Sequence, residues 1–181
     1  MNDLTLPLQK RLYLVVDQHA ANARVLQMVA ALSTDQRLLL LDCGTRANMY
    51  SVAKSIRPLT RDPIAALRNI ELSRAFTSFQ VLAMFEKAEP LAKRPVIVLD
   101  FLSTFYDAEI KLKEARWLFE QCLRHLHRLS EAAPVMVSAK PTPMLAADKD
   151  FLLHLLADHA DVTWTPPPSL PAQPALQPSL F

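Results

Sequence analysis

The stretch Leu38–Ile56 reads LLLLDCGTRANMYSVAKSI: four consecutive leucines, an aspartate, a short turn and then a helical pattern. A continuous apolar run of this length suits a strand buried on both faces, which is the environment inside a parallel sheet. The same signature recurs along the chain. Strands are predicted at Arg11–Asp17, Arg37–Cys43, Ile70–Phe76, Pro95–Phe101, Pro134–Ala139 and Asp161–Thr165. Helices are predicted between them at Ala21–Leu32, Asn48–Ile56, Pro63–Leu67, Phe79–Lys87, Ala108–Leu129 and Asp148–His159. In the longest helix Ala115, Leu118, Phe119, Cys122, Leu123, Leu126 and Leu129 share the spacing of one buried face. Alternating strand and helix predicts an α/β fold, a mainly parallel central sheet flanked by helices.

The composition narrows what such a fold can do. A chain of 181 residues, 51% hydrophobic and 21% charged, matches one globular domain. Its 20 basic and 18 acidic residues nearly cancel, so no global field draws it to nucleic acid or to an acidic membrane. No apolar run approaches the length of a membrane span and no signal pattern opens the chain, so a cytoplasmic protein is expected. Cys43 and Cys122 lie in apolar stretches and read as reduced core residues. Gly44 is the only glycine, which excludes the Walker A loop, the dinucleotide fingerprint and the nucleophile elbow. No cofactor is expected.

Few residues are placed for chemistry. Asp42 and Asp100 each close an apolar strand, at the carboxyl edge where open α/β sheets bind ligands. Asp100, at the end of VIVLD, has the form of a magnesium-holding Walker B aspartate, and also that of a residue capping the next turn. Cys122, His125 and His127 lie close in sequence, but His127 falls away from the face shared by the other two. They read as a core cysteine with surface histidines. His154 and His159 are as poorly matched, and Asp148, Asp150, Asp158 and Asp161 flank the last helix. Arg57, Arg61, Arg68, Lys87, Lys93, Arg94, Arg116, Arg124 and Arg128 form no stripe dense enough to argue direct DNA binding over solubility.

Taken in order, LLLLDCGTRANMYSVA, IELSRAFTSFQVLAMF and RPVIVLDFLSTFYD resemble the core of the RecA/RadA recombinase superfamily, over approximately residues 11–165. In those ATPases a Walker A loop precedes a strand ending in an acidic residue, an RAF-like segment with a nearby glutamine, and a Walker B strand. The resemblance implies a RecA-like core with a nucleotide site at Asp17, Asn22, Ala23, Arg24, Asp42 and Asp100. That site is degenerate. Asp17 and Asn22 stand at the glycine positions, and Ala23 and Arg24 replace the lysine and the magnesium-binding hydroxyl residue. Without glycine the loop cannot turn its N–H groups onto phosphates, and Asp17 repels them. Val15–Leu26, VVDQHAANARVL, is therefore expected to be scaffold.

After residue 165 the composition changes. PPPSLPAQPALQPSLF holds six of the chain's 14 prolines and no charge, so residues 166–181 are expected to form an extended tail outside a domain at 1–165. Its last residues, Gln177, Pro178, Ser179, Leu180 and Phe181, resemble the short peptide by which bacterial polymerases and repair proteins dock on the sliding clamp, the β subunit of DNA polymerase III. The usual form is Gln-Leu-Ser/Asp-Leu-Phe, so Pro178 is a departure that removes one apolar contact and one N–H. A Gln-x-Ser/Asp-Leu-Phe string arises at a given position with a probability on the order of 10⁻⁵. Burying the terminal Leu-Phe pair at ~1.5–3 kcal/mol per side chain, with Gln177 hydrogen-bonding beside it, supports at most a micromolar-class contact.

These readings lead to a non-catalytic RecA-like accessory protein, docked on the clamp in DNA repair, recombination or damage-tolerant replication. Two alternatives stand beside it. One is a RecA-superfamily ATPase completed by a partner subunit. The other is an interaction protein that binds or inhibits a recombinase or repair polymerase without the clamp.

Overall fold

The computed structural model of the chain describes residues 9–20, 22–89 and 93–165. Six strands, β1 (Leu12–Val16), β2 (Leu38–Asp42), β3 (Ile70–Arg74), β4 (Val96–Leu99), β5 (Val135–Ala139) and β6 (Val162–Trp164), form one sheet in the order β3-β2-β4-β5-β1-β6. Every pairing is parallel, so the sheet is wholly rather than mainly parallel among the described residues. The helices are α1 (Asn22–Ser33), α2 (Met49–Ile56), α3 (Pro63–Arg68), α4 (Ser78–Ala88), α5 (Leu112–Ala132) and α6 (Phe151–His159), with a 3-10 helix at Met144–Lys149.

Strand alternation divides the core in two. Leu39, Leu41, Val96, Val98, Val135 and Val137 face one layer, which includes Val81 and Phe85 of α4, Leu118 and Phe119 of α5, and Leu152 and Leu156 of α6. Leu38, Leu40, Ile97, Leu99 and Met136 face the other, with Val25 and Val29 of α1, Val52 and Ile56 of α2, and Ala66 of α3. Crossover handedness accounts for the split. From β1 to β3 the chain moves one way across the sheet, and from β3 to β6 it moves back. Right-handed connections must then place α1–α3 on one face and α4–α6 on the other.

Four elements depart from the sequence-based expectation by more than one residue at an end. Helix α6 begins at Phe151 rather than Asp148, because the residues before it, Met144–Lys149, wind as a separate 3-10 helix broken by a non-helical Ala146. Strand β3 ends at Arg74 rather than Phe76, and most of its residues are exposed, because it is an edge strand with one neighbour. Strand β4 stops at Leu99, since Asp100 turns into a left-handed backbone with φ of 51°. The following Phe101, Leu102 and Phe105 are fully buried, and Phe101 lies 5.4–5.7 Å from the rings of Phe85, Phe105 and Phe119. The loop after β4 is thus part of the core. Helix α5 begins at Leu112 rather than Ala108. The buried Lys149 ammonium donates to the carbonyl oxygens of Asp107 and Ile110, which withdraws them from a helical ladder.

Both cysteines are free and buried, as expected, and burial raises both thiols above their ordinary value. Asp161 is more than a surface acid, because its Oδ2 accepts the Leu12 N–H at 2.7 Å and ties the start of β6 to the start of β1. No helix among the described residues is long and apolar enough to cross a membrane.

Helices α4 and α5 are joined by one polar cluster. Glu89, just past α4, accepts from His125 at 2.7 Å and Arg128 at 3.2 Å. Burial opposes the charged carboxylate, but these hydrogen bonds and their charges outweigh it and hold the Glu89 carboxyl below its ordinary 4.5. A carboxyl lowered by folding contributes stability above its unfolded value and loses that contribution as pH falls through the folded one. Glu89→Gln is therefore expected to lower the denaturation midpoint at neutral pH, with the variant and parent curves converging as pH falls through the lowered folded-state value of Glu89.

Candidate functional site

Open α/β sheets bind ligands at the carboxyl edge, between neighbouring strands whose connections leave to opposite faces. Here β2 and β4 are such a pair. The connection after β2 runs through α2 and α3, and the one after β4 runs through α5 on the far face. Asp42 and Asp100 both emerge at this switch point, and both carboxylates are buried.

Asp42 closes its own turn. Its Oδ1 accepts the Arg46 N–H at 2.8 Å, and its Oδ2 accepts the Ala47 N–H at 3.0 Å and Arg74 Nε at 2.9 Å. Arg74 also reaches the Ala47 carbonyl oxygen, so the last residue of β3 is fastened to the loop after β2. Asp100 is satisfied by charge. Its Oδ2 receives Arg46 Nε at 3.0 Å and Lys140 Nζ, from the end of β5, at 2.7 Å. The Asp100 N–H donates to Ser138 Oγ at 3.0 Å. Arg46 connects the two acids, through its backbone to Asp42 and its side chain to Asp100.

The single glycine belongs to this arrangement. A Cβ built on Gly44 would stand 2.5 Å from Asp100 Oδ2 and 2.6 Å from Asp100 Cβ. No glycine has a positive φ, so space rather than backbone freedom selects the residue. The left-handed conformation is carried by Ala20, Thr45 and Asp100, with φ of 53°, 55° and 51°. All three lie in loops leaving the carboxyl edge, after β1, β2 and β4. Backbone held in this region costs on the order of 1–3 kcal/mol per residue and persists only where the surrounding structure fixes it.

Asp17 Oδ2 accepts the His19 N–H at 3.2 Å, and its own N–H donates to the Ala139 carbonyl oxygen. Asn22 and Ala23 begin α1, and Asn22 Oδ1 is buried with no hydrogen-bond partner. The Arg24 guanidinium lies 5.2 Å from the centroid of the Trp164 ring on β6. Of the residues at the expected nucleotide site, Asp42 and Asp100 are drawn together through Arg46. Gln177 to Phe181 lie outside the described residues.

Arg46, Arg74, Lys140 and Ser138 were missed by sequence reasoning. Arg74 is the arginine of RAF, but its partner Asp42 is 32 positions away, and no local spacing announces the pair. The glutamine of the same segment has a local role. Gln80 Oε1 accepts the Phe76 N–H at 2.8 Å while Thr77 caps α4 by accepting the Gln80 N–H, a reciprocal arrangement like a capping box. A cleft of about 530 Å³ lies at the opposite, amino edge near Lys10, Gln36, Lys93 and Pro134, and no acidic side chain lines it among the described residues.

A scan against protein-family models finds no match for this chain, and a search of curated proteins finds none either.

Gly44→Ala tests the packing directly. Forcing a methyl group against the Asp100 side chain must shift that side chain or the β2–α2 loop, at a cost of about 1–3 kcal/mol in denaturant unfolding. A variant as stable as the parent would show that the close approach is not obligatory.

Proposed function

We propose that the chain is a RecA-like accessory protein without ATPase activity, which docks on the bacterial sliding clamp through Gln177–Phe181 and acts in DNA repair, recombination or damage-tolerant replication. The observation that carries the non-catalytic reading is the state of Asp100. A carboxylate that is to hold magnesium on a nucleotide must have charge to spare. This one is 1% exposed and already faces two cations, Arg46 and Lys140. A magnesium ion would have to displace both against their own desolvation and hydrogen bonding. The likeness of QPSLF to the clamp-binding peptide carries the partner assignment.

The alternative of an ATPase completed by a partner subunit must also remove those cations. An interaction protein for a recombinase or repair polymerase has one observation in its favour. Among the described residues strand β3 is a sheet edge, and Phe76 and Phe79 just beyond it are 65% and 55% exposed. An edge with exposed aromatic residues suits an added strand from a partner.

Calorimetric titration of the full chain into purified clamp tests the main reading. Binding of micromolar class is expected, abolished by truncation after residue 176 and by Leu180→Ala combined with Phe181→Ala. Equal binding by the full and truncated chains would remove the tail's role. Retention of a recombinase or polymerase by the truncated chain would favour the second reading.

A further inference from the structure

Helices α5 and α6 bring together two histidines whose sequence positions give no hint of pairing. The rings of His127 and His159 lie with centroids 5.3 Å apart at an interplanar angle of 55°. They line an open cleft of about 480 Å³ whose floor includes Leu123 and Leu155. Metal–nitrogen bonds of about 2.0–2.1 Å at a tetrahedral angle place two imidazole centroids about 5 Å apart.

What separates this pair from an ordinary ring contact is the other nitrogen of His159. Its Nδ1 lies 2.8 Å from the Leu155 carbonyl oxygen, which can only accept, so Nδ1 carries the proton. In the neutral ring Nε2 is then left with its lone pair. A ring nitrogen held by a backbone carbonyl while the opposite one is open is the outer-shell arrangement that orients metal-binding histidines.

We propose that His127 and His159 form a two-histidine site for a divalent transition-metal ion of the zinc, nickel or copper class. Imidazole nitrogen suits these ions. Among the described residues no group of three or more His, Cys, Asp or Glu is placed to hold a metal, so water or a small anion fills the remaining positions. Arg116 and Arg124 also line the cleft. Arg116 is engaged by Glu120 and the Phe151 ring, and Arg124 by Gln121. Their charges hold the affinity below that of a closed structural zinc site, and protons compete with the ion, so binding weakens on acidification. A bound ion would fasten the last turns of α5 to the end of α6 and raise stability by mass action.

The test uses the untagged full chain, freed of metal and titrated calorimetrically with nickel and with zinc near neutral pH. Thermal unfolding is followed in parallel. One equivalent per chain is expected, with a melting temperature that rises with metal concentration. His127→Gln and His159→Gln should each weaken binding at least about tenfold. His154→Gln, which removes the Asp150 partner on the same helix, should leave binding unchanged. A folded His127→Gln or His159→Gln chain, judged by circular dichroism, that binds as the parent does would overturn the site. So would the absence of binding at millimolar metal, or loss of binding in His154→Gln alone.

Discussion

The carboxyl edge of this sheet is organised by one buried anion. Asp100 leaves β4 at the point where connections diverge to opposite faces, with its α-carbon in the left-handed region and its carboxylate against Gly44. Two cations are drawn to it, from the loop after β2 and the end of β5, so three neighbouring strands are fastened through one oxygen. Breaking such a pair by removing one buried partner typically costs 3–5 kcal/mol. The partial exposure of Arg46 and Lys140 places this case toward or below the lower end. The aromatic cluster around Phe101 supports the arrangement from below, because it sets the turn that aims Asp100.

The same arrangement has a functional meaning. The crevice where a nucleotide and its metal would sit in an open α/β sheet is filled by the protein's own charges. Arg46 and Lys140 both pair with the Asp100 carboxylate, which leaves it little charge to offer a divalent ion. Three loops at this edge carry non-glycine residues in a conformation that favours glycine, although the chain has only one glycine. Strain of this kind persists only where the surrounding structure fixes it.

How much of this could be read from sequence depends on whether the cause was local. LLLLD announced a doubly buried strand because both faces of β2 are covered, and the alternation of strand and helix announced the parallel sheet. Strand β3, IELSR, was expected to run on to Phe76, but it lies at an edge, and edge position is a tertiary fact. The start of α5 was misplaced for a similar reason. Lys149, far along the chain, takes the carbonyl groups that would have begun the helix. Asp42 and Asp100 were identified from their strand ends, whereas the cations that neutralise them were not. Likewise, the ring contact between His127 and His159 joins two helices, so spacing along either helix alone could not show it.

On the proposed reading, the crevice between β2 and β4 does not take a nucleotide with its metal. Equilibrium binding of labelled ATP to the full chain, with and without magnesium, tests it most directly. The account predicts no magnesium-dependent binding at millimolar ATP. Saturable binding that requires magnesium and disappears in Asp100→Ala would contradict it.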